Sequence, residues 1–544
     1  MGLKGGKRER RWLRLSTAQA IAMSRKIGIA DAIDENCDFE NRTITPGDTF
    51  ELMLGAITAR SEHLAMYNIR SFYEGADLEH LFGKPVSDEN LNAMSLSRNL
   101  ETIGAIEEKE KLMWSISREA ERQYGIRCNV LHGDGTCFRF TGEPKDGDYG
   151  FDVPKPMHGH PKHPDDAQFL QYNAYGIADE QRVVLTTRAY DGNTSDPEMN
   201  KDALDFLEEV EDDVKSIVFV ADCKLASASI LDKMDGMGIG YVTKIPDNSI
   251  ENARTKALDA ALQELHLDED DGHIRRFADV RVPIRGMDRR FVVVTNMLKF
   301  RDAVDRIHTK VASDLDATMR KLSKATFDSK EAATEMLRSR MSSAKLAGHS
   351  LKYGFIEKQV RVKPHQGPDV LDEEYRTVYM LDLEVTRDED EVVRAAMASA
   401  SVVLVTNLPS SPSPDGDVRK GADPQKVLEL YNGQFACEHA FRLMKSGLGL
   451  DSIYLQNPAR VAGMLFIVSL VTMLVTLINA VLRDKGLKDG ATVYRMRILF
   501  DNSRLVYDGT DWIHEGSSDR WEMFLERLEL LSIDSDTFLY PRCC

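Results

Sequence analysis

The chain has 544 residues, a formal net charge of −18, and fractions of hydrophobic (42%) and charged (29%) residues that are ordinary for a soluble protein. Its length predicts roughly two to four domains with ample hydrophobic core. Seven cysteines without a C-x-x-C pair argue against a zinc ribbon or a disulfide framework and indicate reduced, cytosolic thiols.

The first fourteen residues are the visible basic patch of this acidic chain. They carry six lysines and arginines against the single acidic residue Glu9. A net negative charge argues against nucleic-acid binding only as an average, because a local basic stripe can coexist with an acidic remainder. The stretch has too few apolar residues for a secretory signal. It fits equally a phosphate-binding arm and a solvated, disordered tail.

Residues 15 to 126 are predicted to be helical. Ser16 and the pair Thr45–Pro46 have the character of helix starts. No helix-turn-helix pattern is sharp within this region. It is therefore predicted only as a helical domain of the kind that recognises DNA.

From residue 128 onward, strand-like and helix-like runs alternate. Two aspartates, Asp134 and Asp222, each follow a short run of β-branched or apolar residues that is typical of a buried strand. Because a carboxylate at such a place is costly to bury unless it is paired or bound to a cation, these two residues are candidate ligands. The predicted strands cover 128–134, 167–177, 182–190, 216–222 and 239–245, and the predicted helices cover 198–211 and 225–235.

Histidines and acids crowd the segment between the first two of these strands. Such groups can bind a transition metal, but their spacing fits no standard site. The prolines at 161 and 164 favour a turn instead, from which Lys162 would contact DNA. The residues concerned are His158, His160, His163, Asp165 and Asp166.

A late helix carries the most informative pattern. Tyr431, Gln434, Glu438 and Lys445 follow at spacings of three, four and seven, which places them close to one face of a helix. An amphipathic helix with a solvated face would show the same pattern. Together with the two strand aspartates, however, Glu438 suggests a carboxylate cluster that binds Mg²⁺ and leaves room for phosphate oxygens.

Residues 462 to 482 form a long apolar run without charge. By length it could span a bilayer, and a membrane-anchored protein is one interpretation. A helix buried in the core of an α/β domain is also apolar all round. Arg460 and Arg483 flank the run on both sides, so flanking charge gives a membrane span no orientation. We favour the buried helix, because the family resemblance set out below implies a core helix here.

The order of these features resembles the DDE transposases of insertion sequences, the group with the Tyr-x2-Arg-x3-Glu-x6-Lys signature. Gln434 stands where that signature has arginine, and Arg442 lies one turn after Glu438. The similarity covers most of residues 25 to 485. Further segments that resemble the family are GHPKHPDDAQF (159–169), YDGNTSD (190–196), VADCKLASASILDKMDGMGIGYVTKI (220–245), VLVTNL (403–408) and LDSIYLQNPARVAGMLFIVSLVTMLV (450–475).

The resemblance implies a multidomain α+β protein with a ribonuclease H-like mixed-sheet core. In that fold the first and fourth strands are adjacent and parallel, which would bring Asp134 and Asp222 together. The implied divisions are a basic arm (1–14), a helical DNA-binding domain (15–126), the first part of the core (127–246), an insertion domain (247–400), the second part of the core with the Glu helix (401–484) and a C-terminal segment (485–544).

The resemblance also implies the chemistry. Asp134, Asp222 and Glu438 would hold two Mg²⁺ ions, with Mn²⁺ able to substitute, for cleavage at element ends and strand transfer into target DNA. The partners would be double-stranded DNA and a second copy of the chain, with no membrane, in the cytoplasm and on the nucleoid. A nuclease of the same fold and a degenerate transposase that only binds DNA are the alternatives. The implied DNA contacts are Tyr431, Gln434, Arg442, Lys445 and Lys162.

Overall fold

The computed structural model has a mixed α/β fold that divides into two compact units. Unit 1 comprises Met1–Thr243 and Glu429–Cys544, and unit 2 comprises Lys244–Leu428. Lys162 and residues 1–10 of the predicted arm lie outside the residues that the structure describes. The described residues are 11–59, 66–87, 89–145, 147, 149–160, 166–247, 250–267, 274–341, 346–361, 375–450, 452–487, 500, 503–507 and 512–534.

Unit 1 opens with a helical region, as its sequence predicts. The helix that begins at Pro46 has a reciprocal cap at its N-terminus. The amide of Asp48 donates to Thr45 Oγ1 (3.0 Å), and the amide of Thr45 donates to Asp48 Oδ2 (2.8 Å). Residues 11–14 of the predicted arm form a strand that pairs with Arg504–Tyr507. The elements are β1 Arg11–Arg14, α1 Leu15–Lys26, α2 Ile29–Glu35, α3 Pro46–Ala59, α4 Met66–Phe72, α5 Leu78–Phe82, α6 Ala93–Gly104 and α7 Lys109–Tyr124.

The sheet of unit 1 has the strand order β4-β3-β2-β5-β6. Strand β3 is antiparallel to β2 and β4, whereas β5 is parallel to β2 and β6. Strands β2 and β5, the first and fourth of these strands along the chain, are thus adjacent and parallel, as predicted. The elements are β2 Val130–Phe140, β3 Gln171–Asp179, β4 Val184–Tyr190, α8 Asp196–Val210, β5 Val218–Ala221, α9 Ala228–Met237 and β6 Gly240–Lys244.

In unit 2, three strands pair in the order β7-β8-β11, and β9 and β10 form a long hairpin in a sheet of their own. One face of the hairpin packs on helices through an apolar cluster that includes Leu315, Leu337 and Leu381. The predicted insertion domain (247–400) lies within this unit. The elements are α10 Ala253–Ala261, β7 Arg275–Ile284, β8 Met287–Asn296, α11 Met297–Arg306, α12 Ala312–Leu322, α13 Lys330–Arg340, β9 His349–Arg361, β10 Tyr375–Arg387, α14 Glu389–Ala400 and β11 Ser401–Thr406.

The last elements return to unit 1 and include the apolar run. It lies in a 27-residue helix, Pro458–Asp484, which is long and apolar enough to cross a membrane, yet its most apolar stretch is wholly buried in the protein. Asn457 caps this helix by accepting from the Arg460 amide (3.2 Å). The predicted buried helix is thus present. The elements are α15 Pro424–Asn432, α16 Phe435–Arg442, β12 Ser452–Ile453, α17 Pro458–Asp484, β13 Arg504–Tyr507, β14 Trp512–Glu515 and α18 Ser518–Leu530.

A buried pair of acids joins α7 to the end of β3. Glu121 and Asp179 have no exposed surface, and Arg118 donates to Glu121 Oε2 (2.8 Å). Asp179 accepts from the Val183 amide (2.7 Å) and lies 3.3 Å from the Cys128 thiol. Burial, followed by the charge of Asp179, raises the pKa of Glu121 to about 9, and burial also raises the pKa of Asp179.

Glu121→Gln is expected to make the protein more stable above neutral pH. The folded protein keeps a proton on Glu121 that the unfolded chain releases above its ordinary pKa of 4.5, so stability is lost as the pH rises from there towards about 9. An amide needs no such proton, so the variant should gain on the order of a few kcal/mol in the free energy of unfolding at pH 8, because each unit of the pKa shift is worth about 1.4 kcal/mol. Urea denaturation at pH 5, 7 and 9 measures it.

Glu119→Gln is the matched control on the same helix. Glu119 is exposed and bonded to Arg122, which lowers the pKa of Glu119 to about 2, so its replacement should give no gain in stability at any of these pH values. A Glu121→Gln protein with the same pH slope as the parent would contradict the assignment of the buried proton.

A carboxylate-lined candidate active site

The register of two parallel strands places Asp134 and Asp222 side by side. Strands β2 and β5 pair from Val130↔Val218 to Gly133↔Ala221. The residue that follows Gly133 is Asp134, and the residue that follows Ala221 is Asp222. Neighbouring strands lie about 4.8 Å apart, so the two residues are close neighbours where this ladder ends. The expected convergence of the two aspartates is present in the backbone itself.

Only one of the two aspartates ends its strand. The sequence pattern predicts that the first strand stops at Asp134, whereas β2 continues to Phe140. It continues because its second half still pairs with β3, through Arg139↔Gln171. Asp134 is therefore half-buried within a strand and marks the end of the β2–β5 ladder, not the end of β2.

Both carboxylates are oriented by the backbone that follows them. Asp134 Oδ1 accepts from the Gly135 amide (2.8 Å). Asp222 Oδ1 accepts from the Cys223 amide (2.6 Å) and so caps a short 3₁₀ turn, Cys223–Leu225. The carbonyl of Asp222 in turn accepts from Thr243 Oγ1 (2.9 Å), which ties this turn to β6.

Helix α16 brings Glu438 to the same edge. The Cys437 thiol donates to the carbonyl of His132 (2.9 Å) and lies 3.6 Å from the carbonyl of Gly176, which is the β3 partner of Asp134. The helix thus sits directly on the strand pair that carries Asp134. Glu438, the next residue, is exposed.

Electrostatic effects link the three carboxylates. Burial raises the pKa of the Tyr431 hydroxyl, and the charges of Asp222 and Glu438 raise it further. Burial likewise raises the pKa of the Cys437 thiol, and the charges of Asp134 and Glu438 add to that effect. Tyr431 therefore lies within electrostatic reach of Asp222 and Glu438, and Cys437 lies within reach of Asp134 and Glu438.

The three carboxylates do not form a closed metal-binding site. Within the described ranges, no three His, Cys, Asp or Glu side chains lie close enough together to hold a metal ion as they stand. Three carboxylates nevertheless supply the hard oxygen donors that Mg²⁺ and Mn²⁺ prefer, and both ions commonly keep water and phosphate oxygens as further ligands. The donor chemistry thus fits a divalent ion whose coordination a substrate completes.

The predicted single helix over 431–445 is wrong in one respect. Helix α15 ends at Asn432 and α16 begins at Phe435. The break is at Gly433, where a Cβ would lie 2.5 Å from the His132 ring. The chain passes so close to His132 that only glycine fits, and the spacing of Tyr431 and Glu438 does not follow one helical face.

The other predicted contacts lie on either side of Glu438 along the chain. Gln434 is half-buried just before α16, and Arg442 is exposed at the end of that helix. Lys445 lies in a π-helical turn, Leu443–Gly447, with its ammonium 5.5 Å from the centre of the Phe138 ring. A π-turn changes the helical phase, which is why Lys445 is directed to β2.

The histidine-rich segment, 157–166, is only partly covered by the residues that the structure describes. His158 and His160 are exposed. Lys162, His163 and Asp165 lie outside the described residues, so the roles suggested for them remain predictions.

Sequence reasoning missed a buried histidine beside the site. His132 is 1% exposed, and neither ring nitrogen has a hydrogen-bond partner among the described residues. Burial lowers the pKa of His132 to about 4, so the ring is neutral. It is the surface on which Gly433 packs, a role that its place in an ordinary strand pattern does not signal.

A fourth carboxylate, Asp196, also lies at this edge. One of its oxygens is 3.7 Å from where a Cβ on Gly135 would stand, and the other is 3.6 Å from the ammonium of Lys224. Asp196 ends the YDGNTSD segment, and Lys224 is two residues after Asp222. Those two motifs were the only sequence signals that could have identified this pair.

Comparison with known protein families matches only a part of the chain. Residues 20–117 match a family model described as a domain of unknown function (DUF4277). No curated protein matches the chain.

Solved structures with some similarity include three Mos1 complexes. A pre-cleavage Mos1 transpososome is 11% identical over 38% of this chain and 61% of that chain, with a TM-score of 0.15. A Mos1 transposase paired-end complex with left transposon end is 12% identical (41% and 64% covered, TM-score 0.15), and a Mos1 mariner paired end complex with Mn is 13% identical (41% and 63%, TM-score 0.15). The chain thus matches less than two thirds of the Mos1 chains, at TM-scores too low to transfer a function.

Proposed function

We propose that the chain is a DNA transposase of the DDE type, with Asp134, Asp222 and Glu438 as its catalytic carboxylates. The parallel register of β2 and β5 carries this proposal, because it sets two strand aspartates side by side. The contact of Cys437 with the His132 carbonyl supports it, since it docks the helix that carries Glu438 on the strand that carries Asp134.

The reaction has two steps of the same kind. Water first attacks a phosphodiester at the element end, forming one P–O bond and releasing a 3′-hydroxyl. That hydroxyl then attacks a target phosphodiester, joining the element and releasing a new 3′-hydroxyl. Divalent ions held by the three carboxylates would activate the attacking oxygen and stabilise the leaving one, so the protein need not provide a general base.

Side chains around the carboxylates suit a phosphate ligand. The raised pKa of Tyr431 keeps its hydroxyl protonated, so it can donate to a phosphate oxygen. Arg442 and Lys445 follow Glu438 on the same segment and add positive charge, with lysine acting as a point charge. We propose these residues, with Gln434 and Lys162, as contacts to double-stranded DNA, bound by a homodimer in the cytoplasm.

The test is a cleavage and joining assay with the full-length chain. The substrate is a duplex spanning the DNA that borders the gene, with Mg²⁺, Mn²⁺ or EDTA, and a supercoiled plasmid serves as target. We expect strand cleavage at a fixed position and joined products with either ion, and none with EDTA.

Other outcomes separate the alternatives. Cleavage without joined products would identify a nuclease of the same fold. Binding without cleavage under any ion would identify a degenerate DNA-binding protein. A chain that neither binds nor cleaves this DNA would refute the proposal.

A further inference from the structure

A loosely held lysine lies at the rim of the carboxylate site. Lys224 is the first positive charge after Asp222, and its ammonium is 3.6 Å from Asp196 Oδ2. The two side chains are 57% and 50% exposed. An ion pair as long and exposed as this contributes little to stability, so the ammonium can exchange Asp196 for another anion.

Asp196 shows where that ammonium lies. It is the first residue of α8, and its Oδ1 is 3.7 Å from where a Cβ on Gly135 would lie. Gly135 is next to Asp134, and Lys224 belongs to the turn that Asp222 caps. The ammonium thus lies near the end of the β2–β5 ladder, on the side of the sheet where α8 packs.

The negative charge of the carboxylates opposes the approach of a DNA phosphate, and a nearby lysine offsets it. Asp134, Asp222, Glu438 and Asp196 place four negative charges at one edge of the sheet, which repels a DNA phosphate. Lys445 lies near Phe138, four residues along β2 from Asp134 and so roughly 13 Å away at the rise of a strand. On the Asp196 side, Lys224 is placed to attract the phosphate.

We propose that Lys224 binds a phosphate of the DNA at the cleavage site, and that Asp196 positions its ammonium until the DNA arrives. The inference rests on the proposed function and adds a substrate-binding residue to it. Lysine suits the role because its ammonium is a compact charge on a flexible stem, which can move from a carboxylate to a phosphate without rearranging the backbone.

The experiment compares Lys224→Ala and Lys224→Arg with the parent on the end-DNA duplex. Lys224→Ala should raise KM about tenfold and reduce the salt dependence of binding by about one phosphate contact. Lys224→Arg should recover most of the loss, because it restores the charge. Lys233→Ala is the matched control: Lys233 also forms an ion pair with a residue of α8, Asp205, and its loss should change neither quantity.

A neutral substrate separates phosphate binding from a structural role. With a methylphosphonate at the cleaved position, the parent should lose at least as much affinity as Lys224→Ala loses on normal DNA, and Lys224→Ala should lose clearly less than the parent on this change of substrate. Asp196→Asn, which frees the ammonium, should leave the salt dependence intact.

Several results would overturn the inference. Unchanged KM and salt dependence in Lys224→Ala would do so, and so would equal methylphosphonate losses in parent and variant. A variant that melts early and is not recovered by Lys224→Arg would show a structural role instead. A parent that neither binds nor cleaves this DNA would refute the proposed function, and this inference with it.

Discussion

Asp134→Asn, Asp222→Asn and Glu438→Gln are each expected to reduce cleavage of end DNA by on the order of 10³-fold or more, with binding within a few-fold of the parent. Each amide keeps the shape of the side chain but removes the charge that would hold a divalent ion. Binding should persist because affinity for DNA comes mainly from lysine and arginine contacts to phosphates. Gel shifts and metal-dependent nicking on one fragment measure both quantities.

Glu208→Gln is the control for these three variants. Glu208 is an exposed carboxylate on α8, away from the β2–β5 edge, and its loss should affect neither binding nor cleavage. Thermal melts of all four proteins separate a catalytic loss from unfolding, which would lower binding and cleavage together. The proposed mechanism is wrong if Glu438→Gln cleaves at a rate near the parent's.

The core of the site could be predicted because its position depends on strand order. Two apolar runs that each lead to an aspartate, in strands expected to be parallel neighbours, require the aspartates to meet if the register is right. The structure shows that register, Gly133↔Ala221. It also shows why the strand end was misplaced: a ladder to one neighbour stops at Asp134 while the ladder to β3 continues, and alternation along one strand cannot reveal this.

The helix carrying Glu438 shows the opposite case. Its spacing predicts one continuous face, yet one helix ends at Asn432 and the next begins at Phe435. Between them the ring of His132 leaves no room for a side chain at Gly433. That contact joins residues 301 apart in the chain, and no local pattern contains it. The pair of Asp196 and Lys224 was missed for the same reason, since neither residue is unusual within its own segment.

Gly463→Ala is expected to destabilise the protein by roughly 3 kcal/mol, near the upper end of the usual cost of overpacking. A Cβ at this position would lie 2.0 Å from the carbonyl oxygen of Leu100 and 3.1 Å from the Gly104 nitrogen. In the reverse direction, a Cβ on Gly104 would lie 2.3 Å from the carbonyl oxygen of Ala459. Helices α6 and α17 therefore cross with their backbones in contact, and relief requires the helices to move apart.

Gly236→Ala isolates this effect from the ordinary consequence of replacing a glycine. Gly236 lies within helix α9, and a Cβ there would meet no atom within 4 Å, so alanine should be neutral or stabilise by up to about 1 kcal/mol. Urea denaturation of the two variants beside the parent gives the comparison. Equal stability of Gly463→Ala and Gly236→Ala would mean that α6 and α17 do not cross at these glycines. A large loss confined to Gly463→Ala would show that the apolar helix is held inside the protein by the helical region that precedes the sheet, because a helix surrounded by lipid would accept the added methyl group.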